Sequence, residues 1–373
     1  MIKALKMIGI SLLVVLAIVV LVTTLFLNLS PQFGKAATAE QKKTYRKSGH
    51  FKDKIFVNES ETVLDVNAIK FLKETIKGSP NRRPKKDIPV QKLDSLSIAN
   101  NSENTLLTWF GHSAFLLEID GKKILIDPMF GESPAPHPAL GTKRYSKELP
   151  IPIEKLPFID AVIISHDHYD HLDYESIQKL KGKVGQYFTP LAVGNHLTSW
   201  GIPKENIHEM NWWDETNFQG LQLTCTPARH FSGRGLFDRA TTLWSSWVIK
   251  GEKENLFFSG DSGYDSHFKE IGEKYGPFDI ALMECGQYNE DWKAIHMMPE
   301  ETIQAALDVK SKLVLPIHWG AFTLALHDWT DPIERAAKKA LEVNLPIATP
   351  KIGETFGIAA ENYPQKQWWK TVE

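Results

Sequence analysis

Residues 165–173 read Ser-His-Asp-His-Tyr-Asp-His-Leu-Asp, which sets His166, His168, Asp170 and His171 within six positions. Three imidazoles and several carboxylates in so short a span are poor material for a core. They are good material for holding two divalent cations side by side. Imidazole nitrogen and carboxylate oxygen together suit Zn²⁺ or a similar first-row ion. The competing reading is a solvated polar loop whose histidines do nothing. The residues just before the cluster, 158–165, form an apolar run that reads as a buried strand. The cluster therefore falls on a loop at a strand's C-terminal end, where α/β proteins place their chemistry.

A two-cation site needs more donors than this loop supplies. Three further segments offer them, each after a strand-like run. One, Cys225-Thr-Pro-Ala-Arg-His, ends in His230. In Phe258-Ser-Gly-Asp-Ser-Gly, Asp261 sits between glycines that let the backbone turn sharply. The third, Leu315-Pro-Ile-His-Trp-Gly, presents His318. A lone histidine after a strand is usually structural. Their order and their shared placement at strand ends carry the weight.

The positioning elements follow from periodicity and turn chemistry. Strands are expected over 105–110, 113–119 and 123–126, with Asp120-Gly121 as a two-residue hairpin turn. Further strands are expected to end at 165 and to cover 186–189, 221–226, 241–249, 255–259, 279–284 and 312–317. Helices are expected over 174–181, 299–309 and 332–343. The helix start Pro299-Glu-Glu places proline in the first turn and carboxylates at the positive end of the dipole. Alternating strands and helices with some hairpins fit two sheets packed face to face with helices outside, an α/β class. No internal repeat or low-complexity segment is visible.

Four regions follow along the chain: a short flank (1–6), an apolar span (7–27), a polar linker or strap with one helix near 66–76 (28–100), and a large α/β domain that carries the donor loops (101–373). Residues 7–27 carry no charge and would span roughly 30 Å at about 1.5 Å per residue, one hydrocarbon core. This reads as a single uncleaved transmembrane anchor. A signal peptide cleaved near Ala37-Thr-Ala39 is the rival reading, but the run is long for that and the site lies well beyond it. Lys3 and Lys6 suggest a cytoplasmic N-terminus and an extracytoplasmic catalytic domain, although the far flank is basic too. The basic stretch 82–86 is read as a solvated strap, or as a contact for anionic headgroups. Net charge of −2 gives no field that would favour nucleic acid. Cys225 and Cys285 are too few for a disulfide framework. Eleven tryptophans are many; Trp212-Trp213 and Trp368-Trp369 are candidates for an interfacial belt or an acyl groove.

The succession His166-x-His168-x-Asp170-His171, His230, Asp261 and His318 resembles the metallo-β-lactamase-fold hydrolases. Trp109-Phe-Gly-His-Ser-Ala, Asp127-Pro-Met-Phe, Arg229-His-Phe-Ser-Gly-Arg-Gly, Thr242-Leu-Trp-Ser-Ser-Trp and His296-Met-Met-Pro-Glu-Glu resemble their N-acylphosphatidylethanolamine-hydrolysing phospholipase D branch and its bacterial relatives. The resemblance spans about residues 106–356. It implies a four-layer αββα sandwich with two divalent metal ions per chain, zinc first among them, at the edge between the sheets. His166, His168 and His230 would hold one ion, and Asp170, His171 and His318 the other. Asp261 would bridge them; a carboxylate has two oxygens to share, an imidazole one lone pair at a time.

Catalytic roles are expected for Asp170, Asp261 and His296. His296 would contact phosphate or protonate the departing oxygen; its plainer role is to cap the helix that starts at Pro299. His112, Asp127 and Asp167 would orient ligands, Arg229 and Arg234 would pair with phosphate or with the loop, and Trp319 would line the site. The expected substrate is a phospholipid or another phosphodiester at a membrane, with a homodimer allowed and no nucleic acid. A lactonase or ester hydrolase of the same fold is the alternative. A non-catalytic membrane scaffold is a further one, but it would have had no reason to keep every candidate ligand.

Overall fold

The computed structural model describes residues 2–65, 68–358 and 362–372. The first helix, α1 (Ile2–Leu29), has no buried side chain and is long and apolar enough to cross a membrane. Next come α2 (Ala39–Tyr45), the short strands β1 (Phe51–Lys52) and β2 (Ile55–Phe56), α3 (Ala68–Lys77) and α4 (Ser95–Asn100). The helix expected over 66–76 corresponds to α3; residues 66 and 67 lie outside the described part. The remaining strands are β3 (Leu106–Trp109), β4 (Phe115–Ile119), β5 (Lys122–Ile126), β6 (Ile159–Ile163), β7 (Val184–Pro190), β8 (Ile207–Met210), β9 (Glu215–Phe218), β10 (Leu221–Thr226), β11 (Ser246–Lys250), β12 (Asn255–Phe258), β13 (Ile280–Glu284), β14 (Val314–Ile317) and β15 (Thr355–Gly357). Between them lie α5 (Tyr174–Leu180), α6 (Gly194–Ser199), α7 (His267–Lys274), α8 (Pro299–Asp308) and α9 (Asp331–Glu342).

Two sheets result. One has the order β15-β3-β4-β5-β6-β7-β8 and the other β14-β13-β12-β11-β10-β9. Alternation of side chains along each strand explains the layering. Leu117, Ile124, Ala161 and Ile163 of the first sheet meet Leu223, Trp247, Ile249 and Leu282 of the second in the central core. The neighbours one residue along, Leu116, Leu125 and Val162, face Ile177 and Leu180 of α5 and Leu197 of α6. Val248, Phe257, Ala281 and Met283 face α7, α8 and α9. This is the αββα sandwich that the resemblance implied. The hairpin turn is also as expected, with positive φ at both Asp120 and Gly121.

The polar stretch before the sandwich is not a free strap. Its described residues hold three α-helices, two 3-10 turns and a hairpin, and Tyr45, Phe51, Phe56 and Ile88 are buried in the central core. The stretch 82–86 is held at its first residue, where Arg82 donates to the carbonyls of Glu74 and Leu326 and its own carbonyl accepts from Tyr145 and Thr323, while Arg83, Lys85 and Lys86 are exposed as a solvated strap would be. The strand expected over 241–249 begins only at Ser246, because the backbone donors before it go elsewhere: Thr242 N–H to the Ser232 hydroxyl, Leu243 N–H to the Leu191 carbonyl and Ser245 N–H to the Ser165 carbonyl.

Candidate metal centre

Every candidate donor sits just beyond a strand's C-terminal end. The loop with His166 to His171 follows β6, His230 follows β10, Asp261 follows β12 and His318 follows β14. His112 follows β3 and Asp127 follows β5. Strands β5 to β7 run parallel, as do β12 to β14, so their ends gather at one edge of the sandwich. Two backbone approaches set the close packing there. A Cβ on Gly260, whose φ is +55, would come within 2.6 Å of the Ser245 carbonyl. A Cβ on Gly286 would lie 1.9 Å from the carbonyl oxygen of His318. His318 itself holds φ +66, a conformation that non-glycine residues adopt at some cost and that recurs at working sites.

The donors gather in two four-residue groups, and a third, Asp261, His296 and His318, overlaps both. His166, His168, His230 and Asp261 each offer an atom within 4.8 Å of the others. So do His112, Asp170, His171 and His318. Asp261 Oδ2 reaches across, 3.8 Å from Nε2 of both His166 and His230, 3.2 Å from His171 Nε2 and 3.1 Å from His318 Nε2. Thus the residues named from the sequence converge, and His112, expected only to support the ligands, joins the group of Asp170, His171 and His318. His296 lies beside them, stacked on His318.

Hydrogen-bond partners assign the tautomers. His171 Nδ1 donates to Asp127 Oδ2 at 2.6 Å, and His230 Nδ1 to the Ile295 carbonyl at 3.0 Å. His318 Nδ1 faces the Gly286 carbonyl at 3.2 Å. The Ser165 hydroxyl donates to Asp127, so it accepts from His166 Nδ1 at 2.9 Å. On His166 and His230 this leaves a bare lone pair on Nε2, aimed inward. These two nitrogens lie 2.9 and 3.2 Å from His168 Nδ1. A single proton on His168 Nδ1 satisfies one of them at most, whereas a cation seated among them would meet all three. Three further atoms of these groups are buried with no hydrogen-bond partner, His112 Nδ1, His171 Nε2 and Asp261 Oδ1. The donor set therefore fits divalent cations.

Electrostatics make the same demand. Burial opposes charge on Asp261, but His171 and His318 outweigh it and hold the carboxyl well below its usual range. Burial likewise opposes protonation of His318, yet Asp261, Asp170 and Glu284 push it up to about 10. In the other group burial wins, and His166 and His230 are held well below the ordinary histidine range. Carboxylates that draw protons onto neighbouring imidazoles are seeking a cation.

Several supporting roles emerge. Asp127 serves His171 directly and His166 through Ser165. His112 Nε2 donates to Asp170 Oδ2 at 2.9 Å. Asp167 touches no donor ring; it accepts from His196, Gly233 and Thr242 and so fixes the loops around the site. Glu284, buried at the end of β13, was missed from the sequence. Its Oε1 lies 3.2 Å from His296 Nδ1 and 3.5 Å from His318 Nδ1. A carboxylate closing an all-apolar strand was the available signal. Asn58 was missed too; it brackets the backbone of His230 with two hydrogen bonds. His296 does not cap α8, whose cap is Met298.

A pocket of about 310 Å³ opens over the donors, lined by His168, Asp170, Asp261, His296 and His318 and walled by Leu64, Phe231, Trp292, Ile295 and Leu324. The structure selects the loop role for the two arginines, with Arg229 also paired to Asp265, and corrects the expectation for the tryptophans. Arg229 is spent on Thr62 and the carbonyl of Glu61. Arg234 is buried and donates to the carbonyls of Gln32, Asp167 and Leu172. Neither guanidinium lines the pocket, so neither is placed to meet a phosphate there. Trp319 points into the core, stacked on Trp368 and tilted against Trp109, with its indole N–H on the Pro316 carbonyl. Trp212, Trp368 and Trp369 are core residues as well, and Trp213 lies half-buried against Tyr275 and Lys274, so none forms a belt or groove wall. Their large apolar area found partners inside the fold.

A family profile described as a β-lactamase superfamily domain matches residues 122–319. The chain belongs to the β-lactamase superfamily. Within it, an uncharacterised protein of Mycobacterium tuberculosis is 40% identical over 327 residues, covering 85% of each chain. That is more than residues 101–373 can supply, so part of the N-terminal region is shared. The N-acyl-phosphatidylethanolamine-hydrolyzing phospholipase D 1 of Caenorhabditis elegans is 34% identical over 242 residues, 61% of this chain and 68% of that one. A solved metallo-hydrolase from Ignicoccus hospitalis superposes with a TM-score of 0.51 at 25% identity, over 68% of this chain and 98% of the other. This superfamily member is a metal-dependent hydrolase of the metallo-β-lactamase fold.

Proposed function

We propose that this protein is a membrane-anchored phosphodiesterase of phospholipase D type acting on N-acylphosphatidylethanolamine-like lipids. The observation that carries this reading is the pocket, whose floor is a cation-seeking donor cluster and whose walls are apolar. A charged head and an acyl chain need those two environments side by side. The nematode relative's name supports the same substrate class. Helix α1 is read as a single-pass anchor with the catalytic domain on the extracytoplasmic side.

His166, His168 and His230 would hold one divalent cation, zinc as first candidate, and Asp170, His171 and His318 a second, with Asp261 between them. Such cations supply, when bound, a water of lowered pKa and neutralisation of charge on the phosphoryl oxygens. The chain's own groups do the rest. His296 Nδ1–H donates a hydrogen bond to Glu284, which orients the ring so that a proton carried on its other nitrogen passes to the departing oxygen. Leu64, Phe231 and Ile295 exclude water from the acyl chain.

One observation favours a second reading, a lactonase or carboxylic-ester hydrolase. No arginine or lysine lines the pocket among the described residues, as would suit a neutral carbonyl substrate. Full-length protein in detergent, tested with zinc or manganese on N-acylphosphatidylethanolamine vesicles beside a lactone panel, separates the two. Release of phosphatidic acid, abolished by a chelator and restored by metal, is the expected result. Turnover confined to lactones would discard the phospholipase reading and leave the metal centre standing.

A further inference from the structure

We propose that the loop tip Leu236-Phe237 is a membrane-inserted wedge, buried in the interfacial layer of the same bilayer that α1 crosses. This rests on reading α1 as an anchor. Phe237 is 94% exposed and Leu236 68%, and they are adjacent. Scattered single apolar residues on a surface need no explanation. A leucine–phenylalanine pair projected from a braced loop does, because the loop spends hydrogen bonds to present it. The Asp238 carboxylate accepts from the backbone N–H of both Arg234 and Gly235, and so closes the turn beneath the two side chains.

The base of this loop is tied to the end of the anchor. Arg234 Nε donates to the carbonyl of Gln32 at 2.7 Å, three residues past the end of α1. Trp200 Nε1 donates to the Pro31 carbonyl at 2.7 Å, and the Lys35 N–H to His196 Nδ1 at 3.0 Å. Phe33 folds back edge-on against Phe26 in the helix's last turn. No slack linker separates helix from domain. At about 1.5 Å per residue α1 is roughly 42 Å long, more than a hydrocarbon core of ~30 Å. Its C-terminal end and Gln32 therefore lie at headgroup level, on one side or the other of the bilayer. Leu236 and Phe237, two and three residues from the guanidinium that grips Gln32, come to the same level. The juxtamembrane segment also carries exposed Lys43, Arg46 and Lys47, which suit anionic headgroups. Phe231, on the same loop, is a wall of the catalytic pocket. The wedge would thus hold the pocket's rim against the layer from which a lipid substrate is drawn.

The test uses full-length protein reconstituted into phosphatidylglycerol-containing vesicles. Cys225 and Cys285 are buried, so an introduced surface cysteine takes an environment-sensitive dye selectively. Phe237→Cys, Val15→Cys in α1 and Leu341→Cys on the exposed face of α9 are labelled separately. The expected result is quenching by nitroxide-labelled lipid at 15 and 237 but not at 341, and quenching by aqueous iodide at 341 alone. Lipid quenching at 15 with an aqueous signature at 237 would overturn the wedge and spare the anchor. Aqueous signatures at both would overturn the anchor reading and the wedge with it.

Discussion

Asp127 Oδ2 accepts the Nδ1 proton of His171 at 2.6 Å, and the same carboxylate takes the Ser165 hydroxyl that receives His166. One buried acid thus orients a ring in each donor group. Asp127→Asn keeps the shape and loses the charge that raises ring basicity. Zinc affinity should fall about 10- to 100-fold, as is usual when a ligand's hydrogen-bond partner is lost. Competition titration with a zinc-sensitive dye reads this directly, without reference to substrate.

Asp261 stands between both groups. Asp261→Asn should remove most of the activity and lower the metal content of purified protein, measured by elemental analysis. Near-normal turnover at full metal occupancy would refute the bridging role. Because ligands that bind the folded state alone stabilise it, a chelator should also lower the melting temperature of the unmodified protein, and much less so that of the variant.

Glu284 holds His296 and His318 through their Nδ1 atoms. Glu284→Gln should depress kcat more than KM and shift the pH profile of kcat, since it changes a proton partner rather than a wall of the pocket. His296→Ala should lose turnover with metal content unchanged. A parallel loss of zinc would instead make His296 a ligand.

His267, buried beside Ser262 at the start of α7, has its pKa pushed down to about 4 by burial. Below about pH 6.5 the unfolded chain takes up a proton that the folded chain refuses until about pH 4. Its contribution to stability is therefore lost as pH falls through that window, by roughly 3 kcal/mol in all. Denaturant titrations across this range should show a shallower acid limb for His267→Gln than for the unmodified chain.

Much of the sandwich and its donor set was legible in the sequence because both obey local rules. Each donor follows a short apolar run, and the run's period of two fixes which face it buries. Thr105 to Ile126 reads as hairpin strands for the same reason, with Asp120-Gly121 as punctuation. What escaped notice depends on partners distant in sequence. Tyr45 looks like a linker residue until Glu209 and Asn195 meet its hydroxyl. Arg229 and Arg234 look like phosphate clamps until Thr62 and Gln32 claim them. Paired tryptophans suit a core as well as a membrane surface, and composition alone does not choose between them. The short strands β8, β9 and β15 lack any run of apolar residues long enough to announce them.

The division of donors between the two sheets has a mechanical consequence. Strands β3 to β8 bring His166, His168, Asp170 and His171, while the stretch from β9 to β14 brings His230, Asp261 and His318. Neither half owns a complete coordination shell. A cation seated at their shared edge would act as a removable rivet, added to the apolar core and to polar ties such as those from Gly233 and Thr242 to Asp167, so that loading stiffens the whole domain and stripping it loosens the edge.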